Sequence, residues 1–354
     1  MRFPFALPAL LALTFAALAA PASAQPGWAQ GEPIIEAQLV SERAQTLPGD
    51  SFHIGLHQVM PEGWHTYWRN PGDNGLPATL DWTVPDGVSV GEIAWPTPIE
   101  LPLTADIMDY GYKGEIVLPV PVTLSGDYAG DSVTIGLSAT WLVCEEICIP
   151  EEGSFSMTLP VGEAPVRDEA GYWYVRGALD AVPQPDPALS GGVDVENGRF
   201  ALQVSGGDFA GDPASWRSVK FFPFEAGLIR HAAVQTVEPV EDGFLLLTEP
   251  GYRVEGALEP GQYGGVVTYE RDTGSGWQPA AFEIRAEAGA VTAPIENAAP
   301  AAPPAAPLPL GNLAMLFLLA AGGGLLLNLM PCVFPVLSIK VLKFVRVAHN
   351  EAGA

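Results

Sequence analysis

The sequence predicts a mainly β protein, with two β-sandwiches followed by one Pro-kinked transmembrane helix. Three observations carry that expectation. Short alternating runs punctuated by turn residues fill most of the chain, a single helical segment separates two such regions, and a charge-free stretch lies near the C-terminal end. At 354 residues the chain exceeds one ordinary domain.

Residues 1–24 read as a signal peptide: Arg2 supplies the positive start, residues 7–18 the apolar middle, and Ala22-Ser23-Ala24 the small-residue cleavage site. The chain from Gln25 onward is expected to fold outside the cytoplasm, where disulfides persist. Residues 25–165 form the first predicted β domain. Apolar runs at 54–56, 116–122 and 132–143 are separated by Pro61-Glu62-Gly63, Asn70-Pro71-Gly72 and Pro85-Asp86-Gly87. Strands this short, with turns this dense, favour a sandwich over a parallel α/β sheet.

A helical connector is expected over 166–186. Tyr172, Val175, Leu179 and Val182 recur at helical spacing within 167–182, and Pro183 stops the pattern. The second β domain spans 187–288, with strands near 199–204, 219–222, 243–247 and 264–269. It carries no metal cluster, phosphate loop or nucleophile motif. Residues 289–309 are an Ala/Pro-rich linker. Residues 310–347 read as a first transmembrane helix, and Lys340, Lys343 and Arg346 on its far flank put that end in the cytoplasm. The helix is therefore expected to sit in a membrane, in contact with its lipid, with the β domains outside the cytoplasm.

The net charge of −25 excludes nucleic acid as a partner, because no basic patch exists to displace counterions. Cysteine usage is more informative. Cys144 and Cys148 stand close together, and Cys332 stands alone between Pro331 and Pro335. Val133, Ile135, Leu137, Ala139, Trp141 and Val143 share one strand face, which puts Cys144 on the opposite, non-core parity. Phe155, Met157, Leu159 and Val161 alternate again, so Glu145-Glu146-Ile147 becomes the tip of a hairpin. Cysteines facing each other there would sit about 4.5–5.5 Å apart at Cα, within reach of a disulfide. A bridge over so short a loop removes little unfolded-chain entropy, which favours redox chemistry over a structural staple. Glu145 and Glu146 would disfavour thiolate until a partner docks. A Cu(I) set drawn from the pair with Met108, His65 and His57 is the alternative, as a non-enzymatic periplasmic binding or copper-handling module tethered by one membrane helix.

Cys332 sits at the breakpoint of the predicted membrane helix, after Gly322-Gly323-Gly324 and between its two prolines. One thiol cannot complete a two-electron exchange as a disulfide, so Cys332 needs a second cysteine from outside this sequence. Either the chain is a piece of a longer membrane protein or the second cysteine comes from another chain, and a sequence that stops just after a first span favours the piece.

At the residue level the chain resembles the DsbD/ScsB-type thiol:disulfide interchange proteins, and the ScsB-like branch more closely. Residues 327–338, around Met330-Pro331-Cys332-Val333-Phe334-Pro335, are similar to that family's first membrane helix. Gly63-Trp64-His65-Thr66-Tyr67-Trp68-Arg69-Asn70-Pro71-Gly72-Asp73, and Trp141-Leu142-Val143-Cys144 with Cys148-Ile149-Pro150, resemble its N-terminal domain. The resemblance implies immunoglobulin-like sandwiches and a protein-disulfide reductase that needs no cofactor and no metal, set in a bacterial inner membrane with its β domains in the periplasm. Electrons would come from cytoplasmic thioredoxin through a membrane domain absent from this chain. They would pass to periplasmic thioredoxin-fold proteins such as disulfide isomerases, by thiolate attack through mixed disulfides. It also implies roles for Cys144, Cys148 and Cys332 as catalytic cysteines. Met108, Asp109 and Tyr110 would form a cap loop, with Tyr110 as its lid. Trp64, Tyr67, Trp68 and Arg69 read as the aromatic core and turn of the domain rather than as a site. The pair is separated by three residues, fewer than in the best-known members.

Overall fold

The computed structural model of the chain describes residues 33–254, 256 and 258–295. The first module comprises β1 (Glu36–Ser41), β2 (Arg43–Gln45), β3 (Ser51–Val59), β4 (His65–Gly72), β5 (Thr79–Thr83), β6 (Val88–Val90), β7 (Ile99–Thr104), β8 (Ile107–Lys113), β9 (Glu115–Leu124), β10 (Ser132–Cys144), β11 (Cys148–Pro160) and β12 (Val166–Arg167). Helix α1 (Glu169–Asp180) comes next. The second module comprises β13 (Gln184–Pro185), β14 (Leu189–Glu196), β15 (Arg199–Gly206), β16 (Trp216–Pro223), β17 (Thr236–Val240), β18 (Gly243–Thr248), β19 (Gln262–Asp272) and β20 (Trp277–Ala288).

The first module is a sandwich. One sheet runs β1-β3-β9-β6, and the other runs β11-β10-β4-β8-β7 with β5 added along β10. Alternation explains the core between them: Phe52 and Ile54 of β3, Val120 and Val122 of β9, and Val133 and Ile135 of β10 all point inward and are buried. Strand β10 pairs with β5 along its middle and touches β4 only at its last residue, where Cys144 faces His65. That joint is where the site forms.

Helix α1 is shorter than the predicted 167–182, because Asp168 caps it by accepting from the Gly171 amide at 2.7 Å. It does more than connect. Val175 and Ala178 bury against Val40 and Val117, on the outer side of the β1-β3-β9 sheet. Tyr172 instead lies under the Arg167 guanidinium, 3.8 Å from its carbon to the ring centre.

The second module is built of short strands, as predicted, and joins them into a single sheet. It is one continuous eight-stranded sheet in the order β16-β19-β20-β14-β15-β18-β17, with β13 parallel to β20. Phe221 near one edge, Phe282 and Phe200 in the middle and Phe244 near the other edge share a single core. A sheet whose distant strands meet in one core must curl on itself, so the module is a near-barrel.

The expected transmembrane helix is corrected as well. Among the described residues no helix is long and apolar enough to cross a membrane. The segment 310–347 and Cys332 lie outside the described residues, as do the signal peptide and most of the linker. Among the described residues the fold class is therefore mainly β with no membrane helix, and nothing in them carries the inner-membrane placement that rested on that helix.

The two modules fall in one compact unit. Trp68 and Tyr110 of the first module and Phe222 and Val266 of the second bury into the same cluster. Polar contacts frame it: the Asn70 side-chain amide donates to the Pro223 carbonyl at 2.8 Å, and Lys220 meets Glu100 at 3.0 Å. Phe222→Ala is expected to cost about 3–5 kcal/mol and to weaken both modules together, as one shifted transition in chemical denaturation. Two separate transitions, with only the second module shifted, would contradict a shared core.

Candidate functional site

The β10–β11 hairpin keeps unbroken register from Ser132 opposite Pro160 to Cys144 opposite Cys148. Glu145, Glu146 and Ile147 form its exposed tip, closed by the Glu145 amide donating to the Ile147 carbonyl at 3.2 Å. Cys144 and Cys148 are joined as a disulfide with Cα atoms 4.2 Å apart. The sequence reading of a hairpin that presents the pair face to face holds.

The two sulfurs differ in environment. Cys148 is exposed, whereas Cys144 is 2% exposed. Parity does set Cys144 on the face opposite Val143, as expected, but that face is not open. Strand β4 joins there, with His65 directly across from Cys144, and Tyr67 two residues on covers the sulfur. The Tyr67 hydroxyl donates to Cys144 Sγ at 2.8 Å and lies 3.5 Å from Cys148 Sγ. Burial, and secondarily the Asp109 charge, push the Tyr67 hydroxyl pKa well up, so it remains a proton donor to sulfur.

Tyr67 is held from behind by the loop after β4. Gly75 has φ +85°, and a Cβ there would collide with the Tyr67 ring, so the ring needs glycine at this position. The loop is fixed in turn. Asn74 donates its amide to Asp109 Oδ1 at 2.8 Å, Met108 donates its amide to Asp73 Oδ2 at 2.8 Å, and Asp73 Oδ1 pairs with His231 Nδ1 at 2.8 Å. Asp109 is fully buried, and desolvation is the main cause that lifts its pKa to about 6.

The predicted cap loop is corrected here. Met108, Asp109 and Tyr110 lie in strand β8, paired with Pro102, Leu101 and Glu100 of β7. Tyr110 is 0% exposed, its ring 4.9 Å from Phe222 and 5.2 Å from His231, centre to centre. It is a core residue between the modules, and the aromatic group over the disulfide is Tyr67. Strand alternation carries the signal: Trp68 points into the core, so its neighbour Tyr67 points to the cysteine face. Arg69 lies over the Phe224 ring at 4.3 Å.

The alternative Cu(I) set is not assembled. His57 is buried with Nε2 2.7 Å from Glu115 and Nδ1 3.1 Å from Gln38. Among the described residues no group of three or more His, Cys, Asp or Glu is arranged to hold a metal ion. His65 does adjoin the pair, with its ring edge-on to Tyr67 at 5.4 Å.

A hydrogen bond to a charged group contributes about 1.5–3 kcal/mol, and each pKa unit corresponds to about 1.4 kcal/mol. Tyr67→Phe is therefore expected to raise the Cys144 thiol pKa of the reduced protein by about one to two units, read from the pH dependence of thiolate absorbance. An unchanged titration would show that the hydroxyl contact has no bearing on the thiolate.

Residues 36–160, which span the cysteine hairpin and β4, match the family model for the N-terminal domain of the thiol:disulfide interchange protein DsbD. The crystal structure of the N-terminal periplasmic domain of ScsB from Proteus mirabilis superposes with a TM-score of 0.51 at 18% identity, over 73% of this chain and 94% of that one. The collagen adhesin of S. aureus aligns over 72% of this chain and 93% of its own at 6% identity, but its TM-score of 0.17 carries no argument. No curated protein matches the chain. The module that holds Cys144 and Cys148 is a DsbD N-terminal-like domain, set in a fold shared with the N-terminal domain of ScsB.

Proposed function

We propose that the chain is a periplasmic thiol:disulfide oxidoreductase whose Cys144–Cys148 pair passes electrons to partner proteins by dithiol/disulfide exchange. One observation carries this reading: a disulfide at a hairpin tip, one sulfur exposed and one buried under a hydroxyl donor, within residues that match the DsbD N-terminal family. A bridge closing three intervening residues adds little stability, so its burial and its donor are better matched to exchange than to stapling.

The exposure difference supports one order of attack. In the reduced pair, the Cys148 thiolate attacks a partner disulfide sulfur, and a mixed disulfide forms as one partner thiolate leaves. Cys144 then attacks Cys148 Sγ, which restores the internal disulfide and releases the second partner thiolate. Two electrons move from the pair to the partner. The Tyr67 hydroxyl stabilises the Cys144 thiolate in that second step.

The partners this reading takes are periplasmic thioredoxin-fold proteins such as disulfide isomerases, with cytoplasmic thioredoxin as the distant source of electrons. An exposed Cys148 beside the exposed hairpin tip suits exchange with a disulfide at a partner's surface. Export through residues 1–24 belongs to the same proposal. Cys144→Ala is expected to trap a disulfide-linked complex through Cys148, and Cys148→Ala is expected to trap none. A complex formed only through Cys144 would reverse the order of attack, and none with either variant would overturn the function.

A further inference from the structure

The resolving step leaves a proton unaccounted for. Cys144 is buried, so when it attacks Cys148 its thiol proton cannot pass directly to bulk water. Tyr67 cannot accept it, because its hydroxyl already donates to that sulfur and burial disfavours its ionised form. A different acceptor is needed on the same face of the sheet.

Cys144 pairs directly with His65, and His65 pairs directly with Lys113, so these three residues form one row across β10, β4 and β8. Directly opposed residues share a face, with Cβ atoms about 4.5–5.5 Å apart. His65 is 4% exposed, and its Nε2 is buried with no hydrogen-bond partner. A buried ring nitrogen without a partner costs stability, and such a group calls for a role. We propose, building on the exchange reading above, that His65 is the general base that takes the Cys144 proton when the mixed disulfide resolves.

The groups that face the imidazole fit this assignment. They are Lys113 from β8, Tyr67 from β4 and Cys144 from β10, with Asp109 farther along β8 and Glu145 and Glu146 exposed at the hairpin tip. Burial first, and the Lys113 charge second, lower the His65 pKa below its usual value. The ring is therefore neutral at physiological pH and able to accept a proton. The step balances: the Cys144 S–H proton moves to His65, Cys144 Sγ bonds to Cys148 Sγ, and the bond from Cys148 to the partner sulfur breaks. The departing thiolate then takes the proton from the imidazolium.

Reduced full-length protein mixed with one equivalent of a chromogenic aryl disulfide tests this. Aryl thiolate is released twice, first on attack by Cys148 and again when Cys144 resolves the adduct. In the wild type, the second rate should fall as pH drops through a titration below about 6.5, because only neutral His65 accepts the proton. His65→Gln and His65→Asn should leave the first phase unchanged, slow the second on the order of 100-fold at neutral pH, and leave only the thiol's own titration. A wild-type second phase that follows the thiol titration alone would overturn the assignment, even if neither variant folds. So would a second phase within about twofold of wild type in a folded variant. Absence of the first phase would overturn the exchange reading itself.

Discussion

The bond from the Tyr67 hydroxyl to Cys144 is the interaction on which the rest of the site depends, and it requires Tyr67 to be immobile. Gly75 lets its loop close onto the ring, and Asp73, Asn74, Met108 and Asp109 tie that loop to β8. Asp73 is in turn bonded to His231 of the second module, and Asn70 to the Pro223 carbonyl. The near-barrel thus supports the loop that supports the tyrosine. Buried hydrogen bonds and aromatic contacts of this kind fix one geometry and lose much if one partner is removed.

That support produces an asymmetric pair from a symmetric hairpin. In an isolated hairpin, opposed cysteines would be equally accessible. Strand β4 meets β10 at one residue only, so it shields Cys144 and leaves Cys148 at the surface. Thiol exchange gains from this. The attacking sulfur needs access to a partner, while the resolving sulfur needs a donor for its thiolate and a place for its proton.

Much of this arrangement is legible in the sequence, for a physical reason in each case. The hairpin is readable because alternation over 132–143 and again from Phe155 leaves only the tip irregular. The burial of Cys144 is not, because it depends on which strand joins β10 at its last residue, a long-range pairing that no local pattern encodes. Tyr110 obeys the same logic. Its segment resembles a loop, yet pairing with β7 and burial on Phe222, more than a hundred residues away, make it core. The second module reads as short strands from sequence, and only the unbroken pairing from β16 through to β17 shows that they belong to one curled sheet. Hydropathy over 310–347 predicts a membrane helix, and the described residues hold no such helix.

Limiting alkylation of the reduced protein, with the modified cysteine mapped by mass spectrometry, tests the central claim most directly. Cys148 is expected to be labelled first, with Cys144 protected while Tyr67 is in place. Equal labelling of the two, or preferential labelling of Cys144, would contradict it.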